Sequence, residues 1–319
     1  MRAVQLGLFP ERAVDFERER ALAARLPAHV AFGTSSWTFP GWAGLCYPDG
    51  TTERDLRDRG LELYARYPLF RAVGVDRSHY RPIPEDELRR YAAQLPPAFP
   101  TVMKAWSALT TEVDPRSGEI LATYLDPATF VREVYDPVAS AFGEHVAALV
   151  LEFPPRRGRA IPRVDAFAER LDRFLAAIPR GVPLAVELRN RELFAPAYLQ
   201  VLARHRVGHV LNWWEAMPDL GEQLRTPGVF PADVVVSRVL LPPGTRYEQQ
   251  RARMEPFARL VEEQPQMRAD VVALAHLTAA LGKKLFVIVN NKAEGSSPLT
   301  VRALAERLVA PDVVWPPAP

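Results

Sequence analysis

The stretch VAFGTSSWTFPGWAGLCYP, Val30 to Pro48, decides how the rest of the chain is read. Val30, Phe32 and Thr34 alternate with smaller residues, so the segment begins as a buried strand. Thr38-Phe39-Pro40-Gly41 then breaks it into a loop that carries Trp37 and Trp42. Two roles are open for these indoles: a plug of core at one end of the fold, or a flat platform for a ligand.

A strand that runs into a loop recurs along the chain. Thr52 and Asp55 form a capping box before a helix with Leu56, Leu63, Tyr64 and Tyr67 at helical spacing, which Pro68 ends. The pattern then predicts strands over 69–75, 101–106, 147–153, 184–188, 208–212, 234–240 and 285–290. Helices are expected over 85–94, 127–142, 164–178, 196–205, 248–263 and 270–281, with Gln264-Pro265 as a break. A last helix starts at Ser297-Pro298, where Pro suits a first turn. Residues 147–153 are a near-continuous apolar run, as a parallel strand covered on both faces requires. Eight strands alternating with helices point to a (β/α)8 barrel of the TIM type; a doubly wound open sheet is the alternative.

Length and composition fit. A chain of 319 residues with 48% apolar content can bury one large barrel core. No apolar run approaches the roughly 20 residues needed to cross a bilayer. Glu11, Asp15, Glu17 and Glu19 stand where a signal peptide needs apolar residues, so a cytoplasmic protein is expected. Cys46 is the sole cysteine and reads as a small buried residue. A formal charge of +2 implies no bulk electrostatic grip on nucleic acid. The 31 prolines lie between periodic apolar segments, so they stiffen loops in a folded chain. The organisation expected is an N-terminal extension (1–28), the barrel (29–310) and a proline-rich, frayed tail (311–319).

The wording of four segments also carries a resemblance. Gly33-Thr34-Ser35-Ser36-Trp37 with Tyr47-Pro48, Asp76-Arg77-Ser78-His79-Tyr80, Val186-Glu187-Leu188-Arg189 and Asn290-Asn291-Lys292-Ala293-Glu294-Gly295 resemble, in this order, the motifs of the YecE-like proteins, described as domain of unknown function 72. The resemblance spans residues 30–309 and implies a TIM-type barrel, with no settled activity. Two positions depart from it. Gly74 stands where many relatives have Glu, and Ser36 where Gly is usual; if that glutamate were the family's base, Glu187 is the remaining candidate. Separately, Gln5-Leu6-Gly7-Leu8-Phe9 resembles the peptide with which many bacterial replication and repair proteins dock on the DNA sliding clamp. Gln5, Leu6, Leu8 and Phe9 are either such a partner motif or a cover for the barrel's own lower end.

In a barrel of this kind the loops after the strands form the active face, so the polar residues closing each strand are read together. Asp76, Lys104 and Glu187 are the candidate catalytic residues, with Glu187 or Asp76 as general base and Lys104 as acid or electrostatic stabiliser. Glu152, Arg189, Arg238, Asn290 and Asn291 join them as candidate binding residues, with Arg77 a fourth cation if it points inward. Gly295 and Ser296, at the start of the last helix, would complete an anion clamp with Arg238. Trp37, Tyr80, Trp106 and the pair Trp213-Trp214 offer flat faces for a sugar or base. The same charges could instead close on themselves as ion pairs, Glu187 with Lys104 and Glu152 with Arg238.

Absences narrow the chemistry. Only His79 lies near a strand end, so no cluster of His and carboxylate metal ligands can be assembled; Asp76, Glu152 and Glu187 remain as a hard-cation alternative, and no cofactor is evident. There is no Gly-rich dinucleotide fingerprint, P-loop or Gly-x-Ser-x-Gly elbow. The expected function is a hydrolase-type enzyme acting on a phosphate-containing small molecule or nucleic-acid end at the barrel mouth. The alternative is a non-catalytic accessory module recruited to DNA through the sliding clamp.

Overall fold

The computed structural model describes residues 15–114 and 117–311. Eight parallel strands build one sheet: β1 (Val30–Thr34), β2 (Val73–Val75), β3 (Thr101–Lys104), β4 (Val146–Phe153), β5 (Leu184–Leu188), β6 (Gly208–Trp213), β7 (Val234–Val239) and β8 (Lys284–Val289). Their spatial order, β1-β8-β7-β6-β5-β4-β3-β2, brings the first two strands back to each other. The amides of Arg71 and Ala72 both donate to the Phe32 carbonyl, at 2.8 and 3.0 Å, across that seam. The chain is therefore a nearly closed TIM-type α/β barrel, as the alternation of elements predicts.

Glycine makes the seam. A Cβ on Gly33 would sit 2.2 Å from the Ala72 carbonyl oxygen, and one on Gly74 would meet Ile288 and the Thr34 oxygen at 2.9 Å. The Gly74 position is thus closed by packing, and no carboxylate side chain fits there in this chain.

Helices surround the sheet. They are α1 (Glu17–Arg25), α2 (Glu53–Ala65), α3 (Glu85–Ala92), α4 (Pro127–Phe130), α5 (Asp136–Ala141), α6 (Val164–Ala177), α7 (Pro196–His205), α8 (Leu220–Leu224), α9 (Tyr247–Met254), α10 (Pro265–Ala280) and α11 (Ser297–Leu308). The Thr52–Asp55 capping box is present, with the Asp55 amide donating to Thr52 Oγ1 at 3.2 Å and the Thr52 amide to Asp55 Oδ2 at 2.9 Å. Outward-facing strand residues such as Phe32, Leu149, Val186 and Val287 are buried against the helices. Inward-facing residues form a second, separate cluster, including Val102, Val150, Ala185, Val210, Val236 and Ile288.

The larger departures from the sequence pattern each have a local reason. The helix expected to run to residue 263 stops at Met254, because Glu255 precedes Pro256 and a residue before proline is driven out of the α region. The next helix begins at Pro265, five residues before the expected start, with proline in its first turn. The single helix expected over 127–142 contains a π turn, Val131–Tyr135, just before Pro137, whose missing N–H cannot continue an α ladder. Strand β2 is three residues rather than seven, since the paired donation to Phe32 bends the chain on entry.

The described part of the N-terminal extension lies against the barrel. Leu22, Ala23 and Leu26 are buried, Arg18 pairs with Glu306 at 2.7 Å, and Glu19 pairs with Arg302 of α11. The motif at residues 5–9 lies outside the described residues, as do residues 312–319. No helix among the described residues is long and apolar enough to cross a membrane.

Candidate functional site

The register of the sheet sets the site. Glu152 of β4 is the direct neighbour of Glu187 on β5, and Asn212 of β6 that of Arg238 on β7. Adjacent parallel strands lie about 4.8 Å apart, so two inward carboxylates side by side repel unless cations intervene. Three cations do. Arg238 reaches across the barrel to Glu187 Oε2 at 2.8 Å, to Glu152 Oε2 at 3.4 Å and to both Asp76 oxygens at 2.6 and 2.8 Å. Arg189 binds Glu187 Oε1 at 2.7 Å and Glu152 Oε2 at 3.0 Å. Lys104 binds Glu152 Oε2 at 2.7 Å, with Asp76 Oδ2 at 3.5 Å.

Burial raises the pKa of Glu152, but Arg189, Lys104 and Arg238 outweigh it and hold the carboxyl well below its ordinary value. Asp76 is shifted the same way: burial opposes, and Arg238 and Lys104 prevail. Burial alone would lower Arg238, yet the three carboxylates raise it. The cluster is three carboxylates and three basic side chains, mutually paired.

Lys104, Glu187, Arg189 and Arg238 therefore meet at one mouth; of the two ion pairs expected, Glu152 with Arg238 is present at 3.4 Å, while Lys104 pairs with Glu152 at 2.7 Å in place of Glu187. Glu187 stands at the centre of this network. It is fully buried, and both oxygens are engaged, Oε1 by Arg189 and by Asn212 at 3.3 Å, Oε2 by Arg238. The Arg238 guanidinium contacts all three carboxylate side chains. Among the described residues, no group of three His, Cys, Asp or Glu side chains is placed to hold a metal ion.

Above the cluster opens a cavity of about 370 Å³, lined by Asp76, Lys104, Glu152, Arg189 and Arg238, together with His79, Tyr80, Trp214, Tyr247, Asn290 and Lys292. A second cavity, about 700 Å³, shares Asp76 and Tyr80 with it and continues past Ser36, Trp37, Leu61 and Tyr91 toward α2 and α3. Tyr80 is 79% exposed on the rim between the two. Trp37 lies in the second cavity, edge-on to Tyr91 at 5.5 Å. Of the tryptophan pair, Trp213 is core, while Trp214 lines the mouth with the Arg189 guanidinium 4.1 Å over its ring. His79 is held below its ordinary pKa by burial, with Glu152 opposing, and so is neutral.

Other expected residues lie elsewhere. Arg77 turns outward to Glu87 and to Tyr91 Oη at 3.0 Å. Trp106 packs on the outer core, because β3 ends at Lys104 and its two-residue alternation stops there. The residues expected to form an anion clamp at the last helix are enclosed by the chain itself. Ser296 and Ser297 are buried, the Ser297 amide donates to Asn291 Oδ1 at 2.8 Å, and residues 259–261 cover Gly295, whose φ of +114° no other residue adopts easily. Asn291 thus accepts from the first turn of α11, and Gly295 and Ser296 lie buried at its start. Asn290 stays at the mouth, where its Oδ1 accepts the Lys292 amide at 3.0 Å.

The fourth cation of the mouth is Lys292, which the sequence reading passed over although it stands in Asn290-Asn291-Lys292. Its Nζ lies 4.6 Å from the centroid of the Tyr247 ring and makes no ion pair among the described residues. Burial, with help from Arg251, lowers its pKa to about 8. A lysine in a quoted motif directly after β8 was the signal that could have found it.

Comparison with known proteins places the chain. The profile of the family described as "Protein of unknown function DUF72" matches residues 31–319, and the chain belongs to that family. A DUF72 family protein from Enterococcus faecalis is similar in structure, at 16% identity and a TM-score of 0.59, covering 89% of this chain and 97% of that one. A DUF72 family protein from Thermotoga maritima is similar at 19% identity and a TM-score of 0.57, covering 88% and 97%. Likenesses at such identity concern the fold. No curated protein matches the sequence.

Proposed function

We propose that in this member of the DUF72 family the barrel mouth binds a small phosphate-bearing molecule and carries out acid–base chemistry on it. One observation carries the reading: Lys104, Arg189, Arg238 and Lys292 face Asp76, Glu152 and Glu187, so the mouth holds one cation more than its carboxylates neutralise. Arg189, itself 4% exposed, also keeps Nε and Nη1 without an acceptor. Half-buried Lys292, with no ion pair among the described residues, and the two open donors of Arg189 favour an anionic ligand, because little water competes for them. Asp76 is the carboxylate best placed to meet the ligand: 29% of its side chain is exposed, it borders both cavities, and Arg238 fixes it as the anion. Lys104, bonded to Glu152 and near Asp76, is the adjoining acid. The aromatic faces of Tyr80, Trp214 and Tyr247 give the rest of the ligand, a sugar or base, an apolar wall.

Calorimetric titration of the full chain with orthophosphate, a nucleoside monophosphate and the matching nucleoside tests this. The two phosphates bind and the nucleoside does not, with affinity falling as salt rises. Lys292→Met weakens phosphate binding at least about tenfold, the scale of one charge-assisted hydrogen bond. A nucleoside that binds as tightly as its monophosphate overturns the reading, as does absence of phosphate binding at millimolar concentration.

A further inference from the structure

The forty basic residues of this chain include only four lysines, Lys104, Lys283, Lys284 and Lys292. Arginine serves nearly everywhere else that a positive charge is needed, so a retained lysine marks a place where the amine itself matters. Lys283 and Lys284 lie at the opposite end of the barrel, where Lys283 Nζ donates to the Ala232 carbonyl at 2.7 Å and Lys284 is exposed at the start of β8. Lys104 is tied into the ion cluster through Glu152. Lys292 alone combines a cavity wall, a half-buried side chain and the absence of an ion pair among the described residues.

Its backbone is fixed on both sides. The Lys292 amide donates to Asn290 Oδ1 at 3.0 Å, and its carbonyl accepts from Gln250 Nε2 of α9 at 3.2 Å. The side chain then runs over the Tyr247 ring into the mouth. The charges that face it are Arg251, Glu248 and Glu255 from the α9 side and Asp76 from the end of β2. Arg251 is itself paired to Glu255 at 2.9 Å, and the Asp76 charge is held by Arg238, so neither carboxylate forms a direct pair with Lys292.

We propose that Lys292 Nζ forms an imine with the carbonyl carbon of a small aldehyde or ketone that carries an anionic group, bound in the cavity of the mouth. The site rests on the reading above, which it narrows to carbonyl compounds. The neutral amine attacks the carbonyl carbon, and the C–O π pair moves to oxygen to give a carbinolamine. Nitrogen then expels that oxygen as water. Of the three protons of the starting ammonium, two leave in the water and one stays on the iminium nitrogen. No electrons are gained or lost, and the iminium keeps the positive charge that the anionic group meets. The depressed basicity of Lys292 makes about a tenth of it neutral at pH 7, against less than a thousandth of an ordinary lysine.

The test is reductive trapping on the full chain. The protein is incubated with glyceraldehyde 3-phosphate and cyanoborohydride, which reduces the imine to a stable secondary amine, and the adduct is located by peptide mass spectrometry. One adduct on Lys292 is expected, with a rate that rises to half its maximum near the pKa of about 8. Lys292→Arg, which keeps the charge and is checked for folding by circular dichroism, should lose the adduct. Adducts spread evenly over the four lysines, or none on Lys292 in the folded protein, overturn the proposal. Unphosphorylated glyceraldehyde separates the two readings: labelling of Lys292 at least about tenfold slower supports both. Equal labelling of Lys292 by the two aldehydes keeps the imine and removes the anionic group, and with it the phosphate reading.

Discussion

The lower and upper layers of the barrel interior use the same strands and opposite chemistry. Val102, Val150, Ala185, Val210, Val236 and Ile288 form the apolar layer. Two residues further along the same strands stand Lys104, Glu152, Glu187, Asn212, Arg238 and Asn290. A step of two residues is about 6.6 Å and keeps the side chain on the same face, so the change from hydrocarbon to charge occurs within one layer spacing. The difference teaches what each layer is for. The lower one is stabilised by area removed from water, a term that needs no partner. The upper one must recover the desolvation of six charges through mutual pairing, and apolar residues of like volume would do as well for stability. Its charges are the ones on which the proposed phosphate site draws.

Breaking the upper layer gives the largest effect. Arg238→Met removes the cation that joins Asp76, Glu152 and Glu187, leaving buried carboxylates uncompensated. A loss of about 3–5 kcal/mol is expected in urea unfolding. A midpoint within error of the parent would show that water, rather than the cluster, solvates these carboxylates. Acid breaks the same layer more gradually. Asp76 and Glu152 titrate below their ordinary values of 3.8 and 4.5 in the folded chain, so the unfolded chain takes up protons first as pH falls. Their contribution is complete above about pH 5 and drains away below it, as pH falls past the unfolded values toward the lower folded ones. The urea midpoint should drop between about pH 5 and pH 3, by less in Glu152→Gln, and equal slopes in the two proteins would contradict the pairing. The smallest effect is expected in the lower layer. Ile288→Val should cost about 0.5–1.5 kcal/mol and leave phosphate binding unchanged. A change in affinity would mean that the two layers are coupled rather than merely stacked.

These comparisons bear on what was legible in the chain. Glu187 and Arg189 share a strand parity with Ala185, and Arg238 with Val236, so alternation alone placed them on the inner face. Alternation failed where strands ended: Trp106, two residues beyond Lys104, leaves the barrel interior because β3 has already stopped. It also could not rank the charges. Glu187 and Asp76 look alike as text, yet one is buried with both oxygens engaged and the other borders both cavities. Lys292 went unread because its environment comes from α9, more than thirty residues upstream, through Gln250, Tyr247 and Arg251.

By itself the sequence determined the architecture, since strand and helix periods, caps and prolines are local signals repeated eight times. It determined as well that charge gathers at the C-terminal ends of the strands. Only the tertiary structure decided which charges face one another, that Asn291 and residues 259–261 close the start of α11, and that Lys292 stands over Tyr247 without an ion pair among the described residues. The reason is physical. A side chain's pairing and basicity are set by groups within a few ångströms of it, and in a closed barrel those groups arrive from strands and loops far apart in the chain.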